Sequence, residues 1–289
     1  MTFSIIVVCL NAGEKLRETI DSIRSQTEQD YEVIIKDGGS VDEATVKYLD
    51  DDLKGLILYH SHQFCLIREK DEGIYDAMNQ ALKHVQGDYV FFLNCGDTFY
   101  DKEVLSRVRE RIEKLGIKLG EQSAYGSSKV RQCIFYGDIY ERLTNTLVKS
   151  NPSIDDFACY RNLPCHQACF YDAGLLHARG FDTAYAVRAD YEHFLWCYYT
   201  ACAKTVYMPI TVARYEGGGF SESRENEKRS RREHREIVRK YMPASKVRRY
   251  RLIMALTLAP VRTWIAKNPV TAGIYQTIKR KLIYRNKSR

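Results

Sequence analysis

Asn11, Asp37, Asp71 and Asp97 define the chemistry open to this chain. Each is an amide or a carboxylate at the end of a stretch that reads as a strand. In an open α/β sheet, ligands bind outside the carboxyl ends of the strands, so these side chains stand where chemistry is expected. Such carboxylates can accept a hydrogen bond from a uracil ring N–H and can hold ribose hydroxyls. A further one can hold Mg²⁺ or Mn²⁺, hard cations that prefer oxygen ligands and often keep substrate phosphates in their shell. A cation there stabilises a departing diphosphate.

The elements that must carry these residues follow from the apolar pattern. Residues 3–10 form a near-continuous apolar run, as for a parallel strand covered on both faces. Leu16, Ile20 and Ile23 then fall on one face of a helix. Residues 31–36 read as a second strand, closed by the turn Asp37-Gly38-Gly39-Ser40, and residues 56–67 hold a third. Ile74, Met78, Ala81, Leu82 and Val85 give the apolar face of a helix that Gly87 stops, and residues 88–93 are a fourth strand. Strands alternating with helices predict right-handed βαβ units and a mostly parallel sheet. Further on, helices are expected at 103–115, 185–200 and 221–241, strands at 133–140 and 206–215, and loops at 116–129 and 216–219.

The net charge of +7 conceals a split. Residues 222–289 hold 20 Lys/Arg against 5 Asp/Glu, and no acidic residue occurs from Pro243 onward. That predicts an acidic main domain and a basic tail with an anionic partner. The nine cysteines include no CxxC pair, which fits free thiols in a reducing compartment. Cys159, Cys165, His166 and Cys169 lie close together, but their spacing matches no common zinc pattern. Residues 1–10 read as a core strand and not as a leader, and no apolar run is long enough to span a bilayer.

The N-terminal half carries no GxGxxG, no GxxxxGK[ST] and no GxSxG, which disfavours a dinucleotide-binding dehydrogenase, a P-loop NTPase and an α/β-hydrolase. It carries instead Cys9-Leu10-Asn11, then Lys36-Asp37-Gly38-Gly39-Ser40-Val41-Asp42, then Asp71-Glu72-Gly73-Ile74-Tyr75-Asp76-Ala77-Met78-Asn79. Leu93-Asn94-Cys95-Gly96-Asp97, His166-Gln167 and Ala189-Asp190-Tyr191-Glu192 follow. Over about residues 3–220, this order resembles the inverting glycosyltransferases of family 2, and especially bacterial enzymes that build capsular, colanic-acid-like or lipopolysaccharide glycans.

The resemblance implies a GT-A fold, with a mostly parallel, Rossmann-like sheet flanked by helices in residues 1–220 and a basic helical extension in 221–289. It implies a nucleotide-sugar donor, with a UDP-sugar favoured. Asn11 and Asp37 would line the nucleoside pocket, although an Asp in such a turn could also serve the turn alone. Asp71, Asp76 and Asn79 would shape the ribose and donor side, with Asn94 nearby. Asp97 matches the last carboxylate of the family's metal motif and would hold Mn²⁺ or Mg²⁺. The motif is thinned, because Asn94 and Gly96 occupy its other positions. Asp190 would be the base that takes the acceptor hydroxyl proton, with Glu192 the weaker candidate. His166 and Gln167 would touch acceptor or donor sugar. Residues 215–221 resemble the family's mobile loop.

Residues 243–289 suit an interfacial helix at an anionic membrane surface, with Trp264 at headgroup level, better than they suit nucleic acid. A lipid-linked glycan acceptor and a cytoplasmic, peripheral location on the inner face of the plasma membrane would follow. The rivals are a sugar-phosphate nucleotidyltransferase and an inactive, glycosyltransferase-like membrane scaffold. The first needs a Gly-rich basic loop after the first strand, where Asn11-Ala12-Gly13-Glu14-Lys15 stands instead.

Overall fold

The computed structural model describes residues 1–115, 132–217 and 224–257. The segment 116–129, most of the glycine-rich stretch after Glu216, and the tail beyond 257 with Trp264 lie outside them. The contacts divide the chain into two compact units, Met1–Ile237 and Val238–Arg289.

The first unit is built on nine strands: β1 (Phe3–Cys9), β2 (Tyr31–Asp37), β3 (Phe64–Arg68), β4 (Tyr89–Phe92), β5 (Thr98–Phe99), β6 (Cys133–Glu141), β7 (Thr146–Val148), β8 (Cys169–Asp172) and β9 (Lys204–Tyr215). Their order is β3-β2-β1-β4-β8-β6-β9-β5, with β7 paired to β6. The first four strands are parallel, as the βαβ pattern predicts. Beyond them the sheet is mixed, because β8 enters antiparallel to both β4 and β6, while β6 and β9 run parallel.

All seven residues of β1 are buried, so the strand is covered on both faces. Phe3, Ile5 and Val7 share a core with Leu16, Ile20 and Ile23 of the helix Glu14–Arg24. Val104, Leu105, Val108 and Ile112 of the helix Val104–Lys114 complete that layer. The helix Ile74–Leu82 packs on β1 and β2. Aromatic rings tie the parallel half to the mixed half. Phe170 of β8 stacks on Phe91 of β4 at 4.5 Å between centroids and meets Phe3 of β1 edge-on at 5.7 Å.

Two elements differ from the sequence pattern. The apolar run 56–67 is not one strand: Lys54–Tyr59 is helical and β3 begins only at Phe64. Thr45, Leu49 and Leu53 are buried at helical spacing and carry the chain on as helix into residues 54–59, whose Leu58 and Tyr59 stay exposed. Cys169–Asp172 is a fully buried strand that four residues are too few to announce. The charged helix Arg224–Tyr241 also inserts the buried carboxylate of Glu233 against residues 186–188.

In the second unit, the helix Ala244–Leu256 leaves Leu252 and Leu256 exposed. Among the described residues, no helix is long and apolar enough to cross a membrane.

Phe170 fills the seam between the two halves of the sheet. Phe170→Ala is therefore expected to cost about 3–5 kcal/mol, the range for emptying a buried aromatic site. Urea denaturation, with an unchanged slope, checks this.

Candidate active site

The ends of β1 and β2 meet because Cys9 lies opposite Asp37 in the parallel register. Asp37 is fully buried, and both its oxygens face Ser40, accepting from its backbone N–H and, at Oδ1, from its hydroxyl. Asn11 completes the turn from the other side. It adopts φ +49°, its N–H donates to Ser40 Oγ at 2.8 Å, and its Oδ1 accepts from the N–H groups of Val41 and Asp42. These two side chains thus hold the 37–42 turn together, with Asp37 as its clasp.

Lys36 supports the same turn. Its side chain is wholly buried, and Nζ donates to the carbonyls of Asp37 and Glu69 and to Asp71 Oδ2, at 3.0, 2.6 and 3.0 Å. All three ammonium protons are satisfied, the condition under which a buried charge is tolerated. Asp71 is pressed so close to Gly38 that a Cβ there would lie 2.5 Å from Asp71 Oδ2. Asp76 works differently: its carboxylate reaches back to accept the Glu72 N–H ahead of its helix, and it also accepts from Gln80. Asn79 spends both ends of its amide on the backbone of Phe181. It lines a cavity of about 450 Å³ with Lys83, Arg179 and Asp182, and these contacts make it a brace for the 180–182 loop.

Asp97 occupies the turn after β4 and is only 3% exposed. Oδ1 accepts the Glu216 N–H at 2.9 Å, and Oδ2 accepts Gln167 Nε2 at 3.1 Å. Thr19 secures the turn, donating to the Asp97 carbonyl and accepting the Gly96 N–H. Gly96 has φ +94°, and a Cβ there would meet Glu216 Oε2 at 2.5 Å, so only glycine fits. Burial, reinforced by the nearby Glu216 charge and partly offset by these hydrogen bonds, pushes the Asp97 carboxyl up to about 6. Asn94 Oδ1, in the same turn, is buried and has no hydrogen-bond partner among the described residues.

Gln167 links this turn to a second group of residues. Beside it, His166 is buried against Phe92, with ring centroids 4.8 Å apart, and neither ring nitrogen has a partner among the described residues. Burial lowers the His166 pKa and the nearby Asp190 charge opposes that, so the ring is neutral, with one donor and one acceptor free. Asp190 lies in the first turn of the helix Ala189–Tyr199, where the helix dipole favours a carboxylate. Its Oδ1 lies 2.8 Å from the Tyr75 hydroxyl. Glu192, the alternative base, is fully buried and paired with Arg179, so it faces away from this chemistry. Cys165, whose thiol donates to Gln167 Oε1, is pushed up to about 12 by burial and is no nucleophile at neutral pH.

The profile described as Glycosyl transferase family 2 matches residues 4–131. A PGL/p-HBAD biosynthesis glycosyltransferase of Mycobacterium tuberculosis is 32% identical over 222 residues, covering 76% of this chain and 78% of the relative. The chain belongs to glycosyltransferase family 2. It is a glycosyltransferase with a GT-A-type fold. Two solved structures share that fold at 16% identity. Residues 1–349 of Staphylococcus aureus TarS, in complex with UDP-GlcNAc, give a TM-score of 0.55, covering 80% of this chain and 65% of that one. The mannosyltransferase PcManGT of Pyrobaculum calidifontis, in complex with GDP-Man and Mn²⁺, gives 0.53, with 79% and 60% covered. Against full-length TarS, the chain spans 37% of the neighbour.

Within this family 2 site, sequence reasoning missed the parts played by Lys36, Tyr75 and Glu216. All three lie inside or beside recognisable motifs, but their contacts cross long sequence separations and leave no local signature.

A carboxyl held above its unfolded value destabilises the fold when ionised. For Asp97 that cost is present above pH about 6 and fades as pH falls toward 3.8. Asp97→Asn should therefore stabilise the ligand-free protein at pH 7.5 by on the order of 1–3 kcal/mol, with the gain shrinking by pH 4.5. Melting curves across that range test the expectation.

Proposed function

We propose that the chain is an inverting transferase that moves a sugar from a nucleotide-sugar, with UDP favoured, to a hydroxyl of a glycan or lipid-linked acceptor. The observation that carries this reading is the Gln167 link. It joins Asp97, suited to the diphosphate end of a donor, to the His166 and Asp190 side, suited to the acceptor. The TarS complex with UDP-GlcNAc favours a UDP-sugar, and the mycobacterial relatives named for PGL biosynthesis favour a lipid-linked acceptor.

In this mechanism Asp190 takes the proton from the acceptor hydroxyl as its oxygen attacks the anomeric carbon. The bond from that carbon to the diphosphate breaks, and the nucleoside diphosphate leaves. Asn11, Asp37 and Asp71 shape the nucleoside side through the Ser40 turn and the Lys36 contacts. The free donor and acceptor of His166 and the open Asn94 Oδ1 suit sugar hydroxyls.

The residues also fit a divalent cation. Asp97 is a desolvated carboxylate with a second carboxylate, Glu216, beside it, and hard cations favour such oxygen-rich surroundings. Asp97 would hold the ion, with Glu216 and Asn94 as the nearest further oxygens. A bound ion would supply charge neutralisation at the departing diphosphate. Mn²⁺ and Mg²⁺ are both compatible with this donor set.

The basic residues 243–289 are proposed to hold the enzyme at an anionic membrane surface on its cytoplasmic side. Co-sedimentation with phosphatidylglycerol vesicles, lost at high salt and absent with phosphatidylcholine, tests that placement.

The decisive assay is release of nucleoside diphosphate from UDP-, GDP- and dTDP-sugars with Mn²⁺ or Mg²⁺, using bacterial lipid-linked sugars as acceptors. Asp190→Asn is expected to lower kcat by about 10²–10⁴, with donor affinity unchanged, as for loss of a general base. Asp97→Asn should weaken donor binding and the response to Mn²⁺. An absence of nucleotide binding and of release from every donor would leave the scaffold reading in place.

A further inference from the structure

The geometry points to Tyr75 and Glu233 as positioning residues for Asp190, an inference that rests on Asp190 being the base. Glu233 lies in the helix Arg224–Tyr241, far along the chain from the family motifs, yet it is only 2% exposed. Its carboxylate accepts the backbone N–H groups of Ala186, Val187 and Arg188 at 3.1, 3.0 and 2.9 Å. Three successive amides converging on one anion form a nest, a strong and directional way to hold a carboxylate. That nest is the segment leading into the helix that carries Asp190. The same charged helix grips Arg188 again, through Nε to Ser230 Oγ at 2.7 Å and to the Ser230 carbonyl at 3.1 Å.

Tyr75 completes the arrangement from the opposite element. Its hydroxyl lies 3.0 Å from the Val187 carbonyl and 2.8 Å from Asp190 Oδ1. Val187, three residues before the base, is therefore held at its N–H by Glu233, and its carbonyl shares the single Tyr75 hydroxyl proton with the nearer Asp190 Oδ1. Burial first, and then the Asp190 charge, raise the Tyr75 pKa well above that of an ordinary phenol. Tyr75 thus stays protonated and acts as a donor. It occupies one carboxylate oxygen of Asp190 and fixes the rotamer, which leaves Oδ2 to meet the acceptor hydroxyl. The ring is itself held against Phe181, 5.5 Å between centroids. Burying Glu233 costs free energy that a surface helix could avoid. A carboxylate there is explained if the 186–188 backbone must be rigid.

Pre-organisation of this kind acts on the chemical step and leaves donor binding alone. The test uses the full chain, UDP-glucose and UDP-N-acetylglucosamine as donor probes, and UDP release as the readout. Tyr75→Phe and Glu233→Gln are each expected to lower kcat about tenfold or more, with donor KM within about twofold. Glu233→Gln should speed hydrogen exchange at residues 186–190, and Glu233→Asp, which keeps the charge, should recover part of the rate. Glu227→Gln, in an exposed pair on the same helix, should behave as the parent.

In an Asp190→Asn background, Tyr75→Phe should cost nothing further. If Asp190→Asn itself retains the parental rate, the base reading falls. If Asp190→Asn is inactive while Tyr75→Phe and Glu233→Gln match the parent in rate, the positioning role alone is overturned. Should Glu233→Gln fail to fold, Tyr75→Phe decides the question, since the phenyl ring preserves the Phe181 packing.

Discussion

The parallel pairing of β1 with β2 on one side and β4 on the other is the constraint from which the site follows. Phe3 is opposite both Tyr31 and Tyr89, so the three strands start level and their carboxyl ends finish on one edge. Parallel strands cannot be joined by tight turns, so each must be followed by a crossover, and every crossover begins at that edge. The Asn11 loop and the Asp37 turn are the first residues of those crossovers, and the Asp97 turn leaves the same edge from β4. Their proximity is a consequence of register and not of any contact among them. The apolar continuity of β1, buried on both faces, holds the register, because a slip of one residue would exchange its two packed faces.

Upon that edge the chain places several buried charges, and they are held in two different ways. Lys36 and Glu233 are fully satisfied, the one by two carbonyls and Asp71, the other by three amides and Arg229. Such groups add little net stability, since desolvation offsets most of their attraction, but they fix backbone geometry strongly. Asp97 is the opposite case. Two hydrogen bonds do not compensate its burial, and its pKa rises accordingly. A fold keeps the first kind where position matters and the second where charge must be available to something else. Lys36 and Glu233 stand behind the Asp37 turn and the Asp190 helix, whereas Asp97 lies in the turn after β4.

Much of this was legible in the sequence, and what was not has physical causes. The strands β1, β2 and β4 sit in apolar runs and the helices Glu14–Arg24 and Ile74–Leu82 carry helical periodicity, so their residues announced them. The helix Lys54–Tyr59 did not, because four apolar residues in a row read equally as strand. β8 is too short to signal itself, and its antiparallel entry is set by aromatic packing on β4 that no local pattern encodes. Within the site, motif order identified Asp97, Gln167 and Asp190 as residues to examine. It could not tell that Asp76 is spent on the Glu72 backbone, or that Asn79 is spent on the Phe181 backbone. Glu233 gave no signal at all. In a helix crowded with charges, only tertiary burial distinguishes it from its exposed neighbours.

Glu216 shows why the distinction between buried and exposed contacts matters at the mouth of the site. Its backbone N–H is bound to Asp97 in a part-buried hydrogen bond, while its side chain meets Lys15 at 2.8 Å in a pair that is 41–55% exposed. Exposed ion pairs contribute about 0–1 kcal/mol, whereas a hydrogen bond to a buried charge is worth about 1.5–3 kcal/mol. The two halves of this contact therefore differ in how readily they exchange partners. The backbone bond keeps Glu216 beside Asp97, and the side chain and Lys15 can each turn to another ion at little cost. Because Gly96 has no side chain, nothing separates the Glu216 carboxylate from the Asp97 turn. The glycine that thins the metal motif in sequence is thus what admits a second carboxylate from a distant strand. A pattern that counts acidic residues within one turn sees a loss there, while the fold brings a second carboxylate beside Asp97 from just beyond β9.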